Sequence, residues 1–140
     1  MGKILCATRG GEASRRTQDE AIALAKERGE ALIFFFVADV SFLNQTAAPL
    51  VVDVESRLEK MGRFQLALAQ ERAAAQDVTA EVVVRQGRLR PELVKAAKEL
   101  CVDLILLGSP LEQDAIFDEA ALQLFASVLE AETGIEVRIL

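Results

Sequence analysis

The chain has 140 residues, 51% of them hydrophobic and 27% charged, with a formal net charge of −6, two cysteines and no histidine. That is apolar chain enough for one domain with a sizeable core, and no Pro-rich, Ser-rich or charge-run linker divides it, so a single domain is expected over residues 1–140. An acidic chain without a basic stripe releases no counterions from a phosphate backbone, which argues against nucleic acid as a partner, while the missing histidine and scattered cysteines argue against a metal centre and histidine acid–base chemistry.

The first apolar run, residues 3–7, reads as a strand and meets Thr8-Arg9-Gly10-Gly11, a turn whose glycines tolerate positive φ. A helix is expected over 12–28, with Ala13, Ala21, Leu24 and Ala25 on its core face, Lys26 and Arg28 at its carbonyl end and Gly29 as its stop. Residues 31–37 hold Leu32, Ile33 and three consecutive phenylalanines without alternation, the pattern of a strand covered on both faces, with Asp39 just beyond its end. The longest apolar run, residues 31–38, is far too short to cross about 30 Å of hydrocarbon, and the strand-like N-terminus has no signal-peptide architecture; a cytoplasmic protein without membrane contact is expected.

Residues 41–52 carry Asn44 and Pro49 and no clear period, so they read as a loop before a helix over 53–76. Within that helix Val54, Leu58, Met61, Phe64 and Leu68 step at helical spacing and are expected to face the core. A partly alternating strand over 79–85, with Glu81 and Arg85, suits a sheet edge. A third helix is expected from Pro91 to Cys101, and then a continuously apolar strand over 103–107 that stops at Gly108. Ser109-Pro110-Leu111-Glu112 reads as a capping box with proline at the first helical position, so a fourth helix is expected over 110–132. A turn at Thr133-Gly134 leads to a strictly alternating last strand, residues 135–140.

Strands alternating with helices through short connections imply right-handed crossovers and a parallel sheet with helices on both faces. The unbroken apolar runs near Leu5, Phe35 and Leu106 belong inside the sheet and the charged ones near Val83 and Val137 at its edges, which gives a five-stranded α/β sheet of order 3-2-1-4-5. Its topological switch lies between strands one and four, placing a ligand cleft where residues 8–11 face residues 108–112.

Across essentially its whole length the chain resembles the universal stress protein family: KILCATRGGEAS its opening strand and turn, VADV the end of its second strand, RQG its third and DLILLGS its fourth. The resemblance implies an adenine nucleotide alpha hydrolase-like fold and a role in stress response or regulation. Many members bind ATP through Gly-x2-Gly-x9-Gly-Ser after the fourth strand and an early Asp. Here Gly108 and Ser109 are present, but Leu111 stands at the second glycine, Ala121-Leu122 at the later Gly-Ser and Arg9 at the early Asp. A phosphate loop needs glycine so that backbone amides can approach the oxygens, and Leu111 after Pro110 forbids that shape. Glu112, Asp114, Asp118 and Glu119 add carboxylates where a triphosphate would lie, each costing roughly 1 to 3 kcal/mol at about 6 Å in an effective dielectric of 20 or more.

The chain is therefore expected to have lost ATP binding, to hold no cofactor and to act without catalysis, through protein partners. The alternative is a degenerate nucleotide or small-anion site, taking ATP or AMP weakly, because a helix N-terminus beside Gly108 attracts anions without any motif. Its residues would be Thr8, Arg9, Gly10, Asp39, Gly108 and Ser109. Arg9 could equally pair with Asp39, Glu112 or Asp114 across the strand ends. Cys6 lacks the arginine six residues on that a thiol phosphatase needs, since Glu12 stands there, and both Cys6 and Cys101 read as buried small hydrophobes. A receiver domain shares the sheet order but needs an acidic cluster after the first strand, where Ala7, Thr8 and Arg9 supply none. The family resemblance further implies a homodimer through the fifth strand. A two-fold axis at Val137 would set Glu136 opposite Arg138 of the second copy, with Ile139 completing the interface.

Overall fold

Five runs of apolar residues pair into one parallel sheet in the order expected, β3-β2-β1-β4-β5. The computed structural model describes residues 2–8, 12–38, 48–108 and 119–139. Its elements alternate along the chain: β1 (Lys3–Thr8), α1 (Glu12–Arg28), β2 (Ala31–Ala38), α2 (Ala48–Ala75), β3 (Ala80–Gln86), α3 (Leu89–Glu99), β4 (Leu104–Leu107), α4 (Glu119–Thr133) and β5 (Glu136–Ile139).

The period-two geometry of a strand divides the core in two. Ile4, Cys6, Leu32, Phe34, Phe36, Leu104 and Leu106 pack with Ala21, Ile22 and Ala25 of α1 and with Leu66, Ala69 and Ala73 of α2. Leu5, Ile33, Phe35, Val37, Ile105 and Leu107 pack on the other face with Leu93, Ala96 and Ala97 of α3 and Leu129 of α4. Helices on both faces explain why these strands read as unbroken apolar runs: neither side of them meets water.

Helix ends are closed by backbone geometry. Gly29 (φ 67°), Asp77 (φ 62°) and Cys101 (φ 54°) each sit left-handed just past α1, α2 and α3. The next amide in each case bonds back into the last turn: Glu30 N–H to Ala25 O, Val78 N–H to Ala73 O and Val102 N–H to Ala97 O, the paired bonds of a Schellman cap. This corrects the expectation for Cys101. The left-handed turn swings its side chain into solvent, and Val102 takes the buried place instead.

Two other expectations change. α2 starts at Ala48, not at 53, which converts the end of the expected loop into a first helical turn; Pro49 fits there because a helix leaves its first amides unpaired anyway. More consequentially, Met61, Phe64 and Leu68 do not face the core: they are 52%, 66% and 44% exposed. The buried face of α2 is Gly62, Leu66, Ala69 and Ala73, on the opposite side of the helix. A Cβ at Gly62 would run into the ring of Phe36, so small residues win this face because α2 lies tight against β2. The side chains of Val54 and Leu58, the capping box at Ser109–Glu112 and the helix start at Pro110 lie outside the described residues.

Candidate functional site

β1 and β4 are neighbours in register, Ala7 opposite Leu107, so Thr8 and Gly108 leave the sheet side by side. From there the chain diverges. α1 packs on one face of the sheet and α4 on the other, which makes the carboxyl ends of β1 and β4 the switch point where such sheets place their ligands. Thr8 closes β1 opposite Phe36 of β2. Arg9, Gly10, Asp39 and Ser109 lie outside the described residues, so of the six expected site residues the structure brings together Thr8 and Gly108.

What it adds is Thr17. This residue, one turn and more into α1, is 5% exposed and sits over Gly108, where a Cβ would strike the Thr17 Oγ1 atom. Gly108 is therefore a contact between β4 and α1: its missing side chain is what lets the helix cross the strand end. The signal was legible in principle, since Ala13, Thr17, Ala21 and Ala25 form an i, i+4 series of small residues, of which Thr17, Ala21 and Ala25 are buried.

α1 is held in that place from the side. Arg72 of α2 donates through Nη2 to Gln18 Oε1 at 2.7 Å and through Nε to Asp19 Oδ1 at 3.0 Å. Beneath this clamp, α1 and α2 border a groove of about 580 Å³ lined by Ile22, Ala23, Lys26 and Glu27 on one wall and Ala75 and Gln76 on the other. It lies toward the amino ends of the strands, since α1 runs back against them. Nothing in it resembles the switch-point site.

Titration chemistry is sparse. Burial alone pushes the Cys6 thiol up to about 12, so it offers no thiolate at neutral pH. Among the described residues no group of three or more His, Cys, Asp or Glu is placed to hold a metal ion. Glu59 accepts from Arg63 at 2.9 Å and from Gln86 at the end of β3, and these two bonds, Arg63 first, hold its carboxyl below the ordinary value.

The profile described as the universal stress protein family matches residues 1–113. The chain belongs to the universal stress protein family. It is 30% identical over 117 residues to universal stress protein YxiE of Bacillus subtilis (strain 168), covering 78% of this chain and 79% of that one. In three dimensions it superposes on universal stress protein UspA from Lactobacillus plantarum with a TM-score of 0.82 at 16% identity, over 99% of this chain and 97% of that chain. A universal stress protein solved in complex with cAMP superposes with a TM-score of 0.70 at 21% identity, over 99% and 96% of the two chains.

The family's nucleotide motif fits these residues poorly. Gly108 keeps the first glycine, but its open side is occupied by Thr17. The motif's closing Gly-Ser corresponds to Ala121-Leu122, and both residues lie within α4, where the sequence offers neither glycine nor a hydroxyl at those positions.

Proposed function

We propose that this universal stress protein is a non-catalytic module that has lost ATP binding and acts in stress response or regulation through protein partners, as a homodimer paired along β5. The observation that supports the loss of ATP most directly is that Ala121-Leu122, within α4, stand where a phosphate-binding member would present glycine and a hydroxyl. The absence of histidine and the unreactive Cys6 support a non-catalytic role. No helix among the described residues is long and apolar enough to cross a membrane. The deciding test is thermal unfolding with and without millimolar Mg-ATP: occupancy at a hundredfold over Kd would add about 2.7 kcal/mol, so even a modest site is visible. We expect no shift; a reproducible rise of several degrees overturns the proposal.

A second reading is favoured by one observation, the cAMP bound to a structurally similar family member. It makes the switch point a degenerate site for a nucleotide or small anion, with Thr8 and Gly108 at its floor. Titration with cAMP and AMP separates the two: saturable heat with AMP or cAMP and none with ATP supports the degenerate site.

A further inference from the structure

Four large hydrophobic side chains are exposed among the described residues, and three of them, Met61, Phe64 and Leu68, form one stripe on α2. The fourth, Leu124 on α4, stands apart from them. Scattered singly, such residues need no explanation; three aligned at i, i+3 and i+7 on the outer side of a helix do. The stripe is also ordered by charge. On the same face, exposed Lys60 lies at the amino-terminal end of the apolar patch and exposed Glu71 at the carboxyl-terminal end. Such a face is complementary to itself when reversed.

We infer that the outer face of α2 is a second self-association surface, which pairs antiparallel with α2 of another copy of this chain about a two-fold axis near residues 64 and 65. That axis sets Met61 level with Leu68 of the second copy and Phe64 beside its counterpart. It also brings Glu71 to within two residues, about 3 Å along the helix, of the opposing Lys60, twice over by symmetry. An aromatic on the axis ringed by apolar and then charged residues is the anatomy of a small protein interface. Antiparallel helices also oppose their dipoles favourably. The face is separate from the β5 edge: α2 packs over β2 and β3, at the other end of the sheet. The inference therefore stands whether or not β5 pairs.

The test is light scattering on a dilution series in low salt, with circular dichroism confirming that each variant is folded. Phe64→Arg should lower the average mass and raise the dissociation constant at least tenfold while the fold is retained, because Phe64 is outside the core. Lys60→Glu should weaken association, and Lys60→Glu with Glu71→Lys should restore it. In a Glu136→Arg background, which disables the β5 edge, association should persist until Phe64→Arg is added. A wild-type protein monomeric at all concentrations, a mass indifferent to Phe64→Arg, or a double charge variant no better than the single one each overturns the α2 surface. Loss of association by Glu136→Arg alone assigns it to β5 and overturns the α2 surface as well.

Discussion

Cys6 and Cys101 are one residue type in opposite settings. Cys6 is fully buried between strands, with its thiol near 12; Cys101 turns outward on a left-handed residue after α3. At pH 8, a thiol reagent should label Cys101 alone in the native protein and both cysteines in guanidinium, counted by mass spectrometry; native labelling of Cys6 would contradict its burial. Gly108 poses the same kind of question about space. Thr17 is β-branched, buried and fixed on a helix, so it has little freedom to yield to a new methyl group. Gly108→Ala should lose about 1 to 3 kcal/mol in urea unfolding, as overpacked sites do. Adding Thr17→Ala should recover most of that loss, because the nearest obstacle is the threonine hydroxyl. No recovery would place the cost elsewhere in the turn.

At the scale of the element, α2 shows how periodicity can name a helix and misassign its faces. Both stripes of α2 have the correct spacing: the large residues Met61, Phe64 and Leu68, and the smaller set Gly62, Leu66, Ala69 and Ala73. Close approach to Phe36 selects the second, because a bulky residue at position 62 would hold the helix away from the sheet. Gly62→Ala therefore sets two effects against each other. Helix propensity favours alanine by about 1 kcal/mol, and overlap with a buried ring costs about 1 to 3 kcal/mol. We expect a net loss, read as a lower urea midpoint with unchanged slope; a stabilised variant would show that Phe36 can move aside.

At the scale of the molecule, β5 is the edge on which the proposed dimer depends. It is an edge strand, with Val137 buried and Glu136 and Arg138 exposed and paired with each other at 2.5 Å. Its edge is already partly closed from within, because Glu130 of α4 accepts from the Val137 amide at 3.0 Å. Pairing of two copies about Val137 would exchange that carboxylate for a backbone carbonyl and turn each Glu136–Arg138 contact into one across the interface. Glu136→Arg alone should then weaken the β5 dimer and Glu136→Arg with Arg138→Glu should restore it, each opposite-charge pair contributing roughly 0.2 to 1 kcal/mol. Low-salt light scattering that finds no difference between the single and double variants would exclude this register.

The sheet order was legible in the chain because burial on both faces forbids alternation: Leu5, Phe35 and Leu106 could belong only to covered strands, and Val83 and Val137 only to edges. Gly29 and Gly134 announced helix ends because a left-handed residue closes the last turn, and both adopt it. Asp77 and Cys101 do the same work without glycine, so their caps were invisible until the backbone was seen. The departures from the nucleotide motif at Leu111 and Ala121-Leu122 were likewise plain in the residues alone, because a phosphate cradle depends on local backbone freedom. Thr17 over Gly108, the small-residue face of α2 and the carboxylate on the Val137 amide were decided only in three dimensions. Each depends on how closely two elements distant in sequence approach, and that distance is set by packing, which no local pattern encodes.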